Sequence, residues 1–194
     1  MALIYVANTL IVLFTALCLC VCFRKDGKWS LQAGLRALRF FTTLSNVLCA
    51  IASLLIILTL RQGTVPYGVW LMKYIGTAAV GVTFMTVMVF LGPTMGYRDQ
   101  LKGFAFYLHV SGPLIAAISF CFLERWYPLS FALSLTGMLP VVLYGALYLN
   151  RVVTAKQWED FYGFNKNGKW QISFSAMVAG SFLLCVILWF LCRL

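Results

Sequence analysis

Charge is what this chain of 194 residues has least of. Only 10% of its residues are charged and 62% are hydrophobic, whereas a soluble domain carries roughly a quarter charged residues. Acids are the scarcest: Asp26, Asp99, Glu124, Glu159 and Asp160 are all there are. None falls inside a long apolar run, which argues against a carboxylate proton relay within a membrane. There is a single histidine, His109, so a bis-histidine haem and a multi-histidine metal centre are excluded. No Gly-Lys-Ser/Thr phosphate loop and no Gly-x-Ser-x-Gly elbow occurs. We therefore expect no metal and no cofactor.

The cysteines Cys18, Cys20, Cys22, Cys49, Cys121, Cys185 and Cys192 lie in or at the ends of apolar runs without ligand spacing. They read as small apolar fillers. The first apolar run has no basic segment ahead of it and no small-residue cleavage site, so it reads as a retained helix, not a signal peptide.

What the chain does have is six long hydrophobic runs, at about 2–23, 40–60, 69–91, 104–123, 130–149 and 172–191. Each is near the ~20 residues needed to cross a bilayer as a helix. A transmembrane barrel would need short alternating segments, and these runs do not alternate. The fold class is all-α: one membrane domain, a six-helix bundle with short loops. Residues 30–39 read as an amphipathic surface helix with Leu31, Leu35 and Leu38 on one face.

The bases set the expected orientation. The first, third and fifth loops carry Arg24, Lys25, Lys28, Arg36, Arg39, Arg98, Lys102, Arg151, Lys156, Lys166 and Lys169; the other side is left with Arg61, Lys73, Arg125 and Arg193. The positive-inside rule puts the odd loops in the cytoplasm and both termini outside a cell membrane. A basic inner face attracts anionic lipid, which accounts for the net charge of +10 without nucleic acid; no loop resembles a nucleic-acid module. Lys25-Asp26-Gly27-Lys28-Trp29 is echoed by Lys166-Asn167-Gly168-Lys169-Trp170, two turn formers each followed by an interfacial Trp.

Polar residues inside the spans are the candidates for function. Thr42, Ser45, Asn46, Cys49 and Ser53 recur at helical spacing and form one stripe, which lipid cannot satisfy and which must therefore face inward. His109 lies five residues into span four and Thr42 two into span two, so both should sit within roughly 10 Å of the same membrane boundary. Pro113 denies a donor to the carbonyl of His109 and should kink the helix there. An ionisable residue within a span is a functional candidate, although a neutral His bonded to a hydroxyl is the structural alternative. A Thr in a membrane helix commonly bonds its own i−4 carbonyl. Span three adds Thr83 and Thr86, and span five Tyr144 and Tyr148 beyond Pro140. The fifth loop holds Trp158, Asp160, Tyr162 and Asn165. It reads either as an interfacial belt or as a cap over the site, with Asp160 placed to orient the imidazole as a third triad member.

Phe41-Thr42-Thr43-Leu44-Ser45-Asn46, Val82 to Thr86, His109 followed by Pro113, and Trp158 to Gly163 together resemble the androgen-induced family of multi-pass membrane hydrolases and their bacterial six-helix relatives. Members of that family hydrolyse fatty acid esters of hydroxy fatty acids. The resemblance implies that Thr42, or its neighbour Thr43, is the nucleophile and His109 the base, with membrane lipids around the chain and a lipid ester as substrate. Asn46 or Ser45 would then donate to the oxyanion. The competing expectation is a non-catalytic membrane protein that binds or transports a lipid or small solute. The oligomeric state is not legible in the sequence.

Overall fold

The computed structural model describes all 194 residues. Six helices are long and apolar enough to cross a membrane: α1 (Ala2–Cys22), α3 (Phe41–Arg61), α4 (Tyr67–Met95), α5 (Phe104–Leu123), α6 (Phe131–Thr154) and α7 (Trp170–Leu191). The short helix α2 (Leu31–Ala37) follows α1. The only strands are β1 (Arg24–Lys25) and β2 (Lys28–Trp29). The chain is thus a multi-pass membrane protein of the all-α class. Helices serve because each satisfies its own backbone where there is no water to do so.

α4 is the centre of the bundle. It packs on α3, α5, α6 and α7, while α1 lies against α3 and α5. Small residues permit this: Gly76, Thr77, Ala78 and Ala79 are all fully or almost fully buried. A Cβ on Gly76 would stand 2.9 Å from the Cα of Cys49, so α3 and α4 meet backbone to backbone. A Cβ on Gly137 would meet Ala78 at 2.7 Å and Cys185 at 2.9 Å, where α4, α6 and α7 cross. Close approach at small residues is how membrane helices gain packing energy when lipid is as apolar as leucine.

Each proline inside a span is preceded by a turn that is not α-helical. Val87–Leu91 is a π-turn before Pro93, Tyr107–Ser111 a π-turn before Pro113, and Leu135–Met138 a 3₁₀ turn before Pro140. Such local adjustments carry a membrane helix past a residue that has no N–H. This corrects the expected end of the third span at Gly92-Pro93: the helix continues to Met95. It also gives the expected irregularity beside His109 a definite form, with the Gly112 N–H reaching back to the Tyr107 carbonyl.

The two echoed loops share a backbone. Asp26 and Gly27 have φ of 52° and 77°, and Asn167 and Gly168 have 58° and 73°. The first pair closes the β1–β2 hairpin, as a type I′ turn requires; the second leads directly into α7. Ser30 caps α2 by accepting the Ala33 N–H at 3.3 Å, and Gly34 lies under the Phe23 ring.

Two charges are not where their sequence positions suggest. Lys73, counted above with the outer loops, and Glu124, taken as the start of a loop, are both 0% exposed. They are the only charged side chains that the fold buries. The expectation of a bundle without an internal carboxylate is thereby overturned.

Candidate functional site

The polar stripe of α3 faces inward. Ser45, Asn46, Cys49 and Ser53 are buried, Thr43 is buried beside them, and Thr42 is half-buried at the helix entrance. The side-chain amide of Asn46 donates to the Thr42 carbonyl at 2.8 Å and to the Leu108 carbonyl at 3.2 Å. Leu108 directly precedes His109, so this amide ties the two candidate residues' helices at one level. Both of its hydrogens are engaged, which leaves Asn46 a positioning residue and not a free oxyanion donor. Ser45 Oγ donates to the Thr42 carbonyl at 3.1 Å and lies 3.0 Å from Thr83 Oγ1, tying α3 to α4.

His109 and Thr42 line one cavity of about 250 Å³, together with Phe40, Thr43, Leu91, Met95, Gln100, Phe161 and Tyr162. No hydrogen bond joins the two. The partner of the imidazole is the Gln100 carbonyl, 2.6 Å from Nδ1. A carbonyl only accepts, so Nδ1 carries the proton, and in the neutral imidazole Nε2 keeps its lone pair. Gln100 was not among the residues expected at the site. Its place depends on Gly96 (φ 94°) and Gly103 (φ 58°), left-handed positions flanking the single helical turn Tyr97–Gln100.

The expected triad partner is elsewhere. One oxygen of the Asp160 carboxylate accepts from the Tyr148 hydroxyl at 2.7 Å and the Phe164 N–H at 2.9 Å, and the other accepts from the Asn165 N–H at 2.8 Å. Asp160 therefore folds the fifth loop instead of orienting His109. Trp158 packs edge-on against Tyr148 and tilted against Phe161, with Arg39 over its ring at 5.7 Å. Trp158, Asp160 and Asn165 stand behind the cavity, not in its wall.

Tyr162 enters the cavity from the fifth loop beside Phe161. Its hydroxyl accepts the Phe41 N–H at 2.9 Å, at the start of α3 and next to Thr42. Burial is the main influence on this phenol and pushes it above the ordinary tyrosine range, with the Phe41 N–H acting the other way. It stays neutral and keeps a proton to donate. Tyr144 donates to the Arg39 carbonyl at 2.6 Å and packs on Phe41, fixing the segment that leads into α3.

Thr42 also lines a second, narrow cavity of about 20 Å³ with Thr83, Thr86, Tyr144, Tyr162 and Phe164. This is about the room one water occupies. Through Thr86, Phe164 and Met177 it adjoins a third cavity of about 240 Å³ between α4 and α7. That groove is walled by Val82, Met85, Val89, Phe90, Ala176 and Gly180 among others, and is mostly apolar. Thr42 thus stands between an apolar side groove and the compartment holding the imidazole. No ion-binding cluster of His, Cys, Asp or Glu accompanies it. Comparison of the chain with protein-family models, with curated proteins and with solved structures finds no match to any of them.

Proposed function

We propose that this chain is an intramembrane hydrolase of lipid esters, a threonine hydrolase with Thr42 as nucleophile and His109 as base. The observation that carries the proposal is the position of Thr42 at the junction of the apolar α4–α7 groove and the His109 cavity. A lipid ester has this division: a chain that needs apolar walls and a carbonyl that needs polar chemistry. The resemblance to hydrolases of fatty acid esters of hydroxy fatty acids rests on the same residues and supports it.

In this reading the acyl chain lies in the groove and enters sideways, with Met177, a flexible side chain at the neck, turning aside. Nε2 of His109 takes the Thr42 hydroxyl proton, and the alkoxide attacks the ester carbonyl. The oxyanion takes a hydrogen bond from the Tyr162 hydroxyl, a contribution of about 3 kcal/mol when such a donor is in place. The imidazolium returns its proton to the leaving alcohol. Water, activated by the same nitrogen, then releases the fatty acid and restores Thr42. Eleven of the fifteen bases flank the Thr42 end in sequence, which supports a cytoplasmic position for it and entry from the inner leaflet.

The missing hydrogen bond between Thr42 and His109 favours a second reading, a lipid-binding or transporting protein with no chemistry. Hydrolysis of fatty acid esters by purified protein in nanodiscs separates the two, combined with labelling by a fluorophosphonate. Loss of both activity and label in Thr42→Ala and in His109→Ala, at unchanged protein level, supports the hydrolase. Turnover that survives either substitution removes it, and lipid binding that persists without any turnover leaves the second reading.

A further inference from the structure

At the end of the bundle away from Thr42, Cys121 lies in the last turn of α5 and Cys192 directly follows α7. Their sulfurs are 3.4 Å apart, one thiol donating to the other. Cys121 Sγ also lies 4.0 Å from the Leu188 carbonyl, one turn before Cys192. The two helices thus bring together thiols that are 71 residues apart in sequence. Each cysteine taken alone reads as an apolar filler. Two in contact, from different helices, make a redox unit, because a small rotation of either side chain brings the sulfurs to bonding distance.

The two thiols differ in what can reach them. Cys121 is 0% exposed, whereas Cys192 is half-buried. Cys192 lines a cavity of about 260 Å³ with Trp70, Glu124, Arg125, Trp126 and Tyr127, and Cys121 stands behind it. Arg125 brings a positive charge to that cavity, its Nε–H donating to the Cys121 carbonyl at 2.6 Å. The Glu124 carboxylate is engaged by Asn8 and Ser119. The hydrogen bond from Cys121, and then the charge of Arg125, favour the thiolate of Cys192. Against the effect of burial, they hold it below the usual thiol range. A thiol so placed beside an arginine, at an open cavity, is the attacking member of a pair, and the buried thiol behind it is the resolving one.

We propose that Cys121 and Cys192 are a thiol–disulfide exchange site that takes an organic disulfide through this cavity. The Cys192 thiolate attacks one sulfur of the incoming disulfide, breaks its S–S bond and expels one thiolate. That leaves a mixed disulfide on Cys192. Cys121 then attacks the Cys192 sulfur and expels the second thiolate, forming a Cys121–Cys192 bond. Two protein thiols are oxidised, one organic disulfide is reduced to two thiols, and the two thiol protons pass to the leaving groups. The new bond ties the end of α7 to α5, and reduction by a thiol releases it. The orientation expected from the bases puts this end outside the cytoplasm, where disulfides persist. The site is independent of the hydrolase reading.

Reduced protein in nanodiscs, exposed to glutathione disulfide and quenched in acid at intervals, tests this by peptide mass mapping. In the wild type, glutathione should appear first on Cys192 and give way to a Cys121–Cys192 link, with two glutathiones released per link. In Cys121→Ala the mixed disulfide on Cys192 should persist, and in Cys192→Ala Cys121 should stay unmodified. Arg125→Gln should slow the first capture several-fold and leave the linked product the same. Glutathione captured by Cys121, a Cys192 that stays unmodified in Cys121→Ala, or a wild type that ends without the link each overturns the proposal. A capture rate unmoved by Arg125→Gln overturns the assignment of Cys192 as the activated thiol. Should a variant assemble poorly, the wild-type time course decides: Cys192 captured first supports the order, and Cys121 captured first overturns it.

Discussion

Asn46 holds Leu108 by its side-chain amide across the α3–α5 contact, one residue before the only histidine. A bond between side chains and backbone of neighbouring membrane helices contributes on average about 0.6 kcal/mol and at most about 1.7. Asn46→Ala should therefore lower the thermal midpoint modestly and lower ester turnover far more, because His109 and Thr42 lose their common level. A turnover loss no larger than the stability loss predicts would show that this tie has no positioning role.

One histidine makes a direct test of the imidazole possible. Protein labelled with ¹⁵N-histidine should give a single pair of ring signals, those of the Nδ1–H tautomer fixed by the Gln100 carbonyl. Gly103→Ala forces a side chain into a left-handed backbone of φ 58°, a strain of about 1–3 kcal/mol. It should displace the Gln100 turn and mix the tautomers, visible as new or broadened nitrogen signals.

Tyr162→Phe removes the acceptor of the Phe41 N–H and the proposed oxyanion donor together. Stability should fall by about 1–3 kcal/mol, the range for an orphaned buried donor. Turnover should fall by more. The pH dependence follows from the raised phenol. A group that ionises later in the folded than in the unfolded chain stabilises the fold below its ordinary range, and this is lost as pH climbs through about 10 and above. Wild-type protein should lose stability there more steeply than Tyr162→Phe in urea or thermal melts.

The contact at Gly76 is backbone on backbone. Gly76→Val should separate α3 from α4 and cost about 1–3 kcal/mol, the range of overpacked cores. Gly180→Ala, on a site with open space around it, should be tolerated. Comparing the two by thermal unfolding in detergent checks the central position of α4.

The thiols of Cys121 and Cys192 stand 3.4 Å apart, joining the ends of α5 and α7. Copper phenanthroline should oxidise this pair and not Cys20, which is exposed and has no sulfur partner. Peptide mass mapping that finds Cys121 and Cys192 unlinked after oxidation would contradict the packing of these helix ends.

How much of this could be read beforehand depended on range. Six spans, the inward stripe from Thr42 to Ser53 and the turns at Asp26-Gly27 and Asn167-Gly168 are local patterns, and hydropathy and helical spacing reveal them. Lys73 and Glu124 resisted because burying a charge requires partners from other helices, Ser53 for Lys73 and Asn8 for Glu124, which no local window contains. Gln100 resisted because its main-chain oxygen, not its side chain, meets His109. Asp160 was legible as a member of the fifth loop but not as its organiser, since an acid beside aromatics reads the same whether it faces a site or folds its own turn. Pro93 misled for a related reason: a π-turn upstream absorbs what would otherwise end the helix.

The outermost helix has one more consequence. Only 22% of the most apolar window of α7 is buried within the protein, the least of the six, yet α7 forms one wall of the groove beside Thr42. A wall held so lightly by its own fold is held largely by the surrounding acyl chains. Lateral pressure in the bilayer then acts on the width of that groove, and extraction into detergent should slacken α7 before any other part of the bundle.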